Sequence, residues 1–313
     1  MEKSIQANIA YANTKSHKHA AAVIIKSVLS ARHKVLVAAA RGIRRDKHEY
    51  EKQIAEQAAD AAISIINDIT GNPIPVPKVN MDLRRRKARK CRGYFLPYIP
   101  DSVYITKNQF DVSDLVFTAI HEAVHYARKD ILNYRSNFDQ VSAPQSSAAA
   151  VEEGISNFVA NYVILGDYSA ICGKILLSDH YDHNSLENAI LLYDAIKADN
   201  NKKPKHVFSG KTFKFLTRHN YYDSGSAMTT LLLVSNNFDI DAMVKYFLTT
   251  SNLSISAHLS ETVLHDSKNE IRSKLENIRL LKNICDAEAD SRFERNAIHA
   301  DRIRSLNVLY RKT

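Results

Sequence analysis

The sequence predicts a predominantly helical α+β protein, and three observations lead to that fold class. Apolar residues recur at helical spacing over 17–69 with few breakers, which indicates two or three helices before 71–77 ends the pattern. Aromatic and β-branched residues concentrate at 93–100 and 102–106 beside prolines, which is typical of edge strands. Helical spacing returns after residue 111, so the predicted strands occupy one short section.

The later elements are predicted to be helices separated by polar intervals. Asp111 or Ser113 offers a helix N-cap, and the run 115–127 that follows contains neither Gly nor Pro. A second apolar run at helical spacing covers 148–162, despite Gly154. Further helices are predicted at 185–198, 226–234, 240–248 and 270–309.

Composition is typical of a globular protein in a reducing compartment. The chain has 313 residues, 45% hydrophobic and 25% charged, which suffices for one large core or two modest ones. Its cysteines, Cys91, Cys172 and Cys285, are too far apart for a disulfide framework or a Cys-x-x-Cys metal cluster. Neither an export signal nor a membrane-spanning segment is recognisable, so a cytoplasmic protein is expected.

Positive charge is concentrated in the first third of the chain. Residues 1–110 hold 20 Lys and Arg against 9 Asp and Glu, whereas the whole chain has a net charge of +9. This asymmetry suggests nucleic acid, an acidic membrane surface or an acidic partner, although a merely solvated basic face explains it as well. The densest cluster is a predicted loop with the side chains for anion binding: Arg84, Arg85, Arg86, Lys87, Arg89, Lys90 and Arg92.

Residues 121–125 read His-Glu-Ala-Val-His within the first predicted helix after the strands. Residues four apart share one face of a helix, so His121 and His125 can direct imidazole nitrogens at a single ion. Zinc binds such nitrogens, leaves a coordination position open to water in catalytic sites and lowers the pKa of that water to about 7. Glu122 can accept the proton of this water and pass it to a leaving group. The motif predicts one Zn²⁺ ion, two ligands and a general base.

A catalytic zinc ion needs a third protein ligand. Metzincin spacing would place Gly at 128 and His at 131, where this chain has Arg128 and Ile131, so that class is excluded. The next candidates are Glu152 and Glu153, on the following predicted helix. Acidic residues are also favoured in the first turn of an exposed helix, so three interpretations stay open: ligation by Glu153, by Glu152 or by neither.

His-Glu-x-x-His followed 28 positions later by Glu153-Gly resembles the gluzincins, the group that contains thermolysin and the zinc aminopeptidases. The resemblance implies a zincin-like catalytic core over 93–235, with a small edge-strand sheet, an active-site helix and a following glutamate helix. It also implies that zinc is held by His121, His125 and Glu153, with Glu122 as the base. Asn157 then stands where thermolysin-like members have an acid that orients a ligand imidazole, and Glu152 is the alternative ligand.

A second segment, Tyr222-Asp-Ser-Gly, is similar to the Tyr-x-x-Gly segment of aminopeptidase-like gluzincins, whose tyrosine hydroxyl stabilises the oxyanion. The similarity implies this role for Tyr222, with Tyr221 or His219 as substitutes, although a packing role for Tyr222 is nearly as well supported. The exopeptidase motif of the aminopeptidases is absent from the sequence, so endopeptidase action is expected. The strand at 102–106 is expected to be the edge that binds an extended peptide.

The expected organisation has a basic helical N-terminal region at 1–77, a basic linker or loop at 78–92, the zincin-like core at 93–235 and a helical C-terminal region at 236–313. The favoured function is zinc-dependent hydrolysis of peptide bonds in a protein or peptide substrate. Two alternatives stay open. One is a basic, nucleic-acid-associated protein with a peptidase-like domain, and the other is a catalytically inactive zincin-like scaffold.

Overall fold

A computed structural model describes residues 44–82, 92–96, 99, 101–106, 112–133, 147–165, 185–199, 210–218, 221–236 and 240–275. Several predicted features lie outside these residues. They are the chain before residue 44, the basic residues Arg84, Arg85, Arg86, Lys87, Arg89 and Lys90, the alternate residue His219, and the part of the predicted C-terminal helix beyond residue 275.

A three-stranded mixed sheet accounts for the described β structure. Its strands are β1 (Lys78–Asp82), β2 (Gly93–Phe95) and β3 (Ser102–Thr106), in the spatial order β1–β3–β2. β1 runs parallel to β3, and β2 runs antiparallel to it. The central strand is therefore β3, and the expectation that 102–106 forms an open edge for a peptide is wrong. β1 supplies the neighbour that the sequence did not predict.

The sheet register brings two chain segments to the same end of β3. Asp82 pairs with Thr106, and Gly93 pairs with Ile105, so β1 ends and β2 begins at the carboxyl end of β3. Tyr94 and Tyr104 stack across the strands with ring centroids 4.8 Å apart. Such cross-strand pairs stabilise a small sheet.

The described helices include all those predicted from periodicity within the described ranges, together with two that were not predicted, α5 and α8. Their bounds are α1 Arg44–Thr70, α2 Val112–Leu132, α3 Ser147–Leu165, α4 Ser185–Asp199, α5 Gly210–Arg218, α6 Tyr221–Ser235, α7 Ile240–Thr249 and α8 Asn252–His265, followed by α9 at residues 268–275. The predominantly helical α+β class is confirmed.

Helix α2 lies at the centre of the fold. It packs against α1 and α3, against β2 and β3, and against α7. Every residue from 114 to 128 is buried, so α2 has no solvent-facing side over this stretch. A helix enclosed on all sides must carry apolar residues all round, as Leu115, Ile120 and Val124 do here. Polar side chains within it require partners in the protein.

Helices α3 and α6 touch through their backbones. A Cβ atom placed on Gly154 would lie 2.4 Å from Cα of Gly225, and one placed on Gly225 would lie 2.5 Å from the carbonyl oxygen of Ala150. Only glycine fits at both positions, so this contact fixes how the two helices meet. Of the helices that the structure describes, none combines the length and the apolar character that a membrane span requires.

Candidate metal centre

Helix α2 brings the two histidines of the motif together inside the protein. His121 and His125 are 5% and 7% exposed, and their Nε2 atoms lie 3.0 Å apart. The spacing of four residues places both rings on one helix face, as expected from helical geometry. Both imidazoles therefore present the same ring nitrogen to a single point.

Glu153 of α3 meets these nitrogens from the neighbouring helix. Its Oε2 atom lies 3.0 Å from Nε2 of His121 and 3.7 Å from Nε2 of His125. The shorter distance is that of an ion pair, and Oε2 has no further hydrogen-bond partner among the described residues. One ligand atom from each of the three residues lies within 4.8 Å of the others.

The three separations match the ligand spacing of a tetrahedral zinc site. With ligands about 2.0–2.1 Å from zinc, two ligand atoms of a tetrahedron stand about 3.3 Å apart. The separations of 3.0, 3.0 and 3.7 Å lie on either side of that value. Two imidazole nitrogens and a carboxylate oxygen are also a donor set that zinc takes in catalytic sites. The residues present fit the ion.

Glu122 is the acidic residue between the two histidines, and it is 5% exposed. Burial raises its pKa to about 7, and the charges of His121 and His125 oppose that rise. A carboxyl group with this pKa exchanges a proton readily near neutral pH. Gly93, the first residue of β2, lies directly against Glu122, so the sheet covers the carboxyl group.

Charge interactions tie His125 to both glutamates of α3. Burial alone would lower the pKa of His125, but the carboxylates of Glu153 and Glu152 outweigh it and hold the pKa well above its ordinary value. Burial would likewise raise the pKa of Glu153, yet His125 and His121 bring it below the usual carboxyl range. The charges of His125 and of the two glutamates therefore stabilise one another.

The other ring nitrogen of His125 faces the second glutamate. Nδ1 lies 3.4 Å from Oε1 of Glu152 and 3.1 Å from Oγ of Ser156. Glu152 in turn accepts hydrogen bonds from Nε of Arg128 at 3.0 and 3.2 Å. Asn252 completes the group by donating from Nδ2 to Oε2 of Glu152 at 2.9 Å.

The structure separates the roles that the sequence left open for the two glutamates. Glu153 faces the Nε2 atoms, whereas Glu152 faces Arg128 and the far side of His125. Asn157 does not take the orienting position expected for it, because its Oδ1 is buried without a hydrogen-bond partner among the described residues. Glu152 and Ser156 contact the imidazole ring of His125 instead.

Other predicted residues are placed less completely. Tyr221 and Tyr222 lie in the first turn of α6, but their side chains are outside the described part of the structure. Arg92 contacts Asp114 through Nη1, and Asp114 is almost fully buried. The charge of Arg92 is thus balanced inside the chain, so anion binding by this residue is not favoured.

Sequence reasoning missed three members of this cluster: Arg128, Ser156 and Asn252. From the sequence, Arg128 served only to exclude the metzincin spacing. In the structure it is fully buried and paired with Glu152. Ser156 stands one helical turn after Glu152, a spacing that would have suggested a shared face. No sequence signal points to Asn252, which is 100 positions from Glu152.

The chain was compared with protein-family models, with curated proteins and with solved structures, and none of them matches it.

Proposed function

We propose that this chain is a zinc-dependent peptidase with a gluzincin-type ligand set of His121, His125 and Glu153. The convergence of two Nε2 atoms and one carboxylate oxygen, with Glu122 beside them, is the observation that carries the proposal. Three ligands from two packed helices would leave a fourth position on a bound zinc ion for water or substrate, which is the arrangement of catalytic rather than structural zinc.

Zinc bound to these residues would polarise a water molecule and the carbonyl group under attack. Glu122 is suited to take up a proton at its carboxylate and to release it to the leaving amine, because it lies between two of the proposed ligands on the same helix. The buried position of Glu122 keeps bulk water from competing for that proton.

Tyr222 remains the candidate for stabilising the oxyanion. The contact between Gly154 and Gly225 brings the first turns of α6 close to the turn of α3 that carries Glu153. Tyr222 stands three positions before Gly225, hence about one turn away on the same helix. The packing of α3 on α6 supports this assignment at the level of the backbone.

A zincin-like core would also need a strand edge beside the site. In the described sheet this place falls to β2 rather than β3, since β2 is an outer strand and its first residue lies against Glu122. An extended peptide that pairs with an outer strand gains main-chain hydrogen bonds without a sequence requirement. Endopeptidase action follows as part of the proposal.

Metal analysis and a peptide-library digest of the purified full chain test the proposed function together. The wild type is expected to hold one zinc ion per chain and to cleave peptides, and Glu122→Gln to keep the zinc and lose cleavage by at least about 100-fold. Glu187→Gln, an exposed change on α4, serves as the matched control and should behave as wild type. A chain that takes up no zinc, or a Glu122→Gln variant that cleaves normally, contradicts the proposal. Bound zinc without cleavage by the wild type would favour the inactive scaffold.

A further inference from the structure

Two adjacent glutamates of α3 enter the core, and only one of them reaches the metal-binding group. Glu152 is 1% exposed, and both of its oxygens have partners: Oε1 lies near Nε of Arg128 and Nδ1 of His125, and Oε2 near Nδ2 of Asn252. Oε2 of Glu153 pairs with Nε2 of His121 and has no further hydrogen-bond partner among the described residues. The Glu152 carboxylate is therefore held by Arg128 and Asn252, whereas the Glu153 carboxylate faces the Nε2 atoms of the two histidines.

We propose that Glu152 is a positioning residue for the metal site, held by Arg128 and Asn252 so that it fixes His125 with Nε2 toward the ion while Glu153 alone supplies the carboxylate ligand. The proposal rests on the metal site of the proposed function. Beyond that function, it states that Arg128 and Asn252 determine which glutamate coordinates the ion, and that Glu152 orients the imidazole of His125.

The imidazole chemistry of His125 requires an acceptor on this side. A neutral histidine that gives Nε2 to a metal carries its proton on Nδ1, and that proton needs a partner inside the protein. Glu152 at 3.4 Å and Ser156 at 3.1 Å are the groups facing Nδ1. They lie one turn apart on the same face of α3, so one helix face fixes the orientation of the ring.

Arg128 keeps Glu152 away from the ion. Its side chain is fully buried, and a buried guanidinium without a carboxylate partner is strongly destabilising. Moving Glu152 to the metal would leave Arg128 without its carboxylate partner, whereas Glu153 already faces the Nε2 atoms of both histidines.

Asn252 joins both members of the ion pair. Its Oδ1 accepts a hydrogen bond of 2.7 Å from Nη2 of Arg128, and its Nδ2 donates one of 2.9 Å to Oε2 of Glu152. Asn252 is the first residue of α8, so the docking of α8 is linked to the orientation of His125. This contact crosses the boundary at residue 235 that the sequence suggested between the core and the C-terminal region.

The dissociation constant for Zn²⁺ and the visible spectrum of the Co²⁺-substituted full chain test the proposal. Glu152→Gln is expected to weaken zinc binding about 10–100-fold and to alter the Co²⁺ bands while the binding ratio stays at one ion per chain. Glu153→Gln should weaken binding further, because it removes a ligand. The exposed variant Glu187→Gln should match wild type in both measurements.

Two further variants distinguish a loss of zinc affinity from a loss of folding. Asn252→Ala keeps the Arg128–Glu152 pair and should give a smaller loss of zinc affinity than Glu152→Gln. Combining Arg128→Met with Glu152→Gln removes both charges, so no buried charge is left alone, and zinc binding should stay weakened although the melting temperature recovers.

The outcomes separate the two proposals. A Glu152→Gln variant that melts earlier but keeps the wild-type zinc affinity and Co²⁺ spectrum shows a purely structural role and overturns the positioning role, leaving the proposed function intact. Loss of all binding in Glu152→Gln with retention in Glu153→Gln shows that Glu152 is the ligand, which also overturns it. A wild-type chain that binds neither ion overturns both proposals.

Discussion

Gly93 stands so close to Glu122 that no side chain fits between strand β2 and helix α2. A Cβ atom at Gly93 would lie 2.8 Å from Oε1 of Glu122, 2.9 Å from its Cγ and 2.6 Å from Cγ2 of Thr118. Cβ atoms essentially never approach other atoms to within 3.0 Å, so a residue larger than glycine must displace the carboxyl group or the strand. Glu122 can therefore keep its observed conformation only while position 93 of β2 carries no side chain.

Gly93→Ala is therefore expected to impair hydrolysis while sparing metal binding. The added methyl group pushes on Glu122 and Thr118, neither of which is a proposed zinc ligand, and a misplacement of about 1 Å in a reacting group costs about 100-fold in rate. Peptide turnover and zinc content of the purified variant are the measurements. Glu187→Gln, an exposed change on α4, is the control, because it leaves Glu122 and its surroundings in place. Normal turnover in Gly93→Ala would contradict the expectation.

Gly154→Ala should destabilise the protein by separating α3 from α6. The new Cβ would meet the backbone of Gly225 at 2.4 Å, and backbone cannot rotate away as a side-chain tip can. Forced expansion of a packed contact costs about 1–3 kcal/mol. Urea unfolding measures the loss, and Gly225→Ala should show a similar one. The double variant should lose less than the sum of the two, because both changes open the same contact; strict additivity would show that the helices do not meet there.

Ser224→Ala is expected to leave stability unchanged or to raise it by up to about 1 kcal/mol. The hydroxyl of Ser224 is buried and has no hydrogen-bond partner among the described residues, so its removal ends a desolvation penalty. Tyr193→Phe is the contrasting change, since the hydroxyl of Tyr193 donates to the carbonyl of Asp266 at 2.8 Å. That variant should lose about 1 kcal/mol. If Ser224→Ala lost as much in thermal unfolding, Ser224 would have an unrecognised partner.

The start of helix α9 should depend on pH through Glu270. The backbone N–H of Ser267 donates to Oε2 of Glu270, its hydroxyl donates to the same atom, and the Glu270 N–H donates back to Oγ of Ser267. This reciprocal arrangement is a capping box. The hydrogen bonds from the backbone and then the side chain of Ser267 lower the pKa of Glu270 below its ordinary value. Because the folded-state pKa is lowered, the stabilisation is present above the pKa of the unfolded chain and is lost as pH falls through the lowered value.

Carboxyl NMR titration of wild type and Ser267→Ala checks this prediction. The variant keeps the backbone donor and loses the hydroxyl, so the pKa of Glu270 should move part of the way back toward its ordinary value. An identical pKa for Glu270 in the two proteins would show that the hydroxyl does not contribute.

The sequence predicted those parts of the candidate site that depend on local geometry. The spacing of His121 and His125 places both on one face of any helix that contains them, so their proximity needed no tertiary information. The choice between Glu152 and Glu153 could not be made locally, because it depends on Arg128, which lies on another helix. Asn252 was unpredictable for the same reason.

The fold was predicted where the residue pattern is strong. Val103 and Ile105 are fully buried, and the concentration of aromatic and β-branched residues beside prolines predicted β3, but its central position depends on β1. β1 was missed because Asn80 and Asp82 are residue types depleted from strands. Helix α8 was missed although Ile255, Leu259 and Val263 recur every four residues and are fully buried.

The contact between Glu152 and Asn252 spans 100 positions of the chain. During synthesis on the ribosome, both histidines and both glutamates are made long before the amide that holds Glu152 and Arg128 in place. A nascent chain that stops short of residue 252 contains every proposed zinc ligand but not the residue that completes the buried ion pair. If Glu152 positions His125 as proposed, a chain that ends before residue 252 is expected to bind zinc more weakly than the full chain.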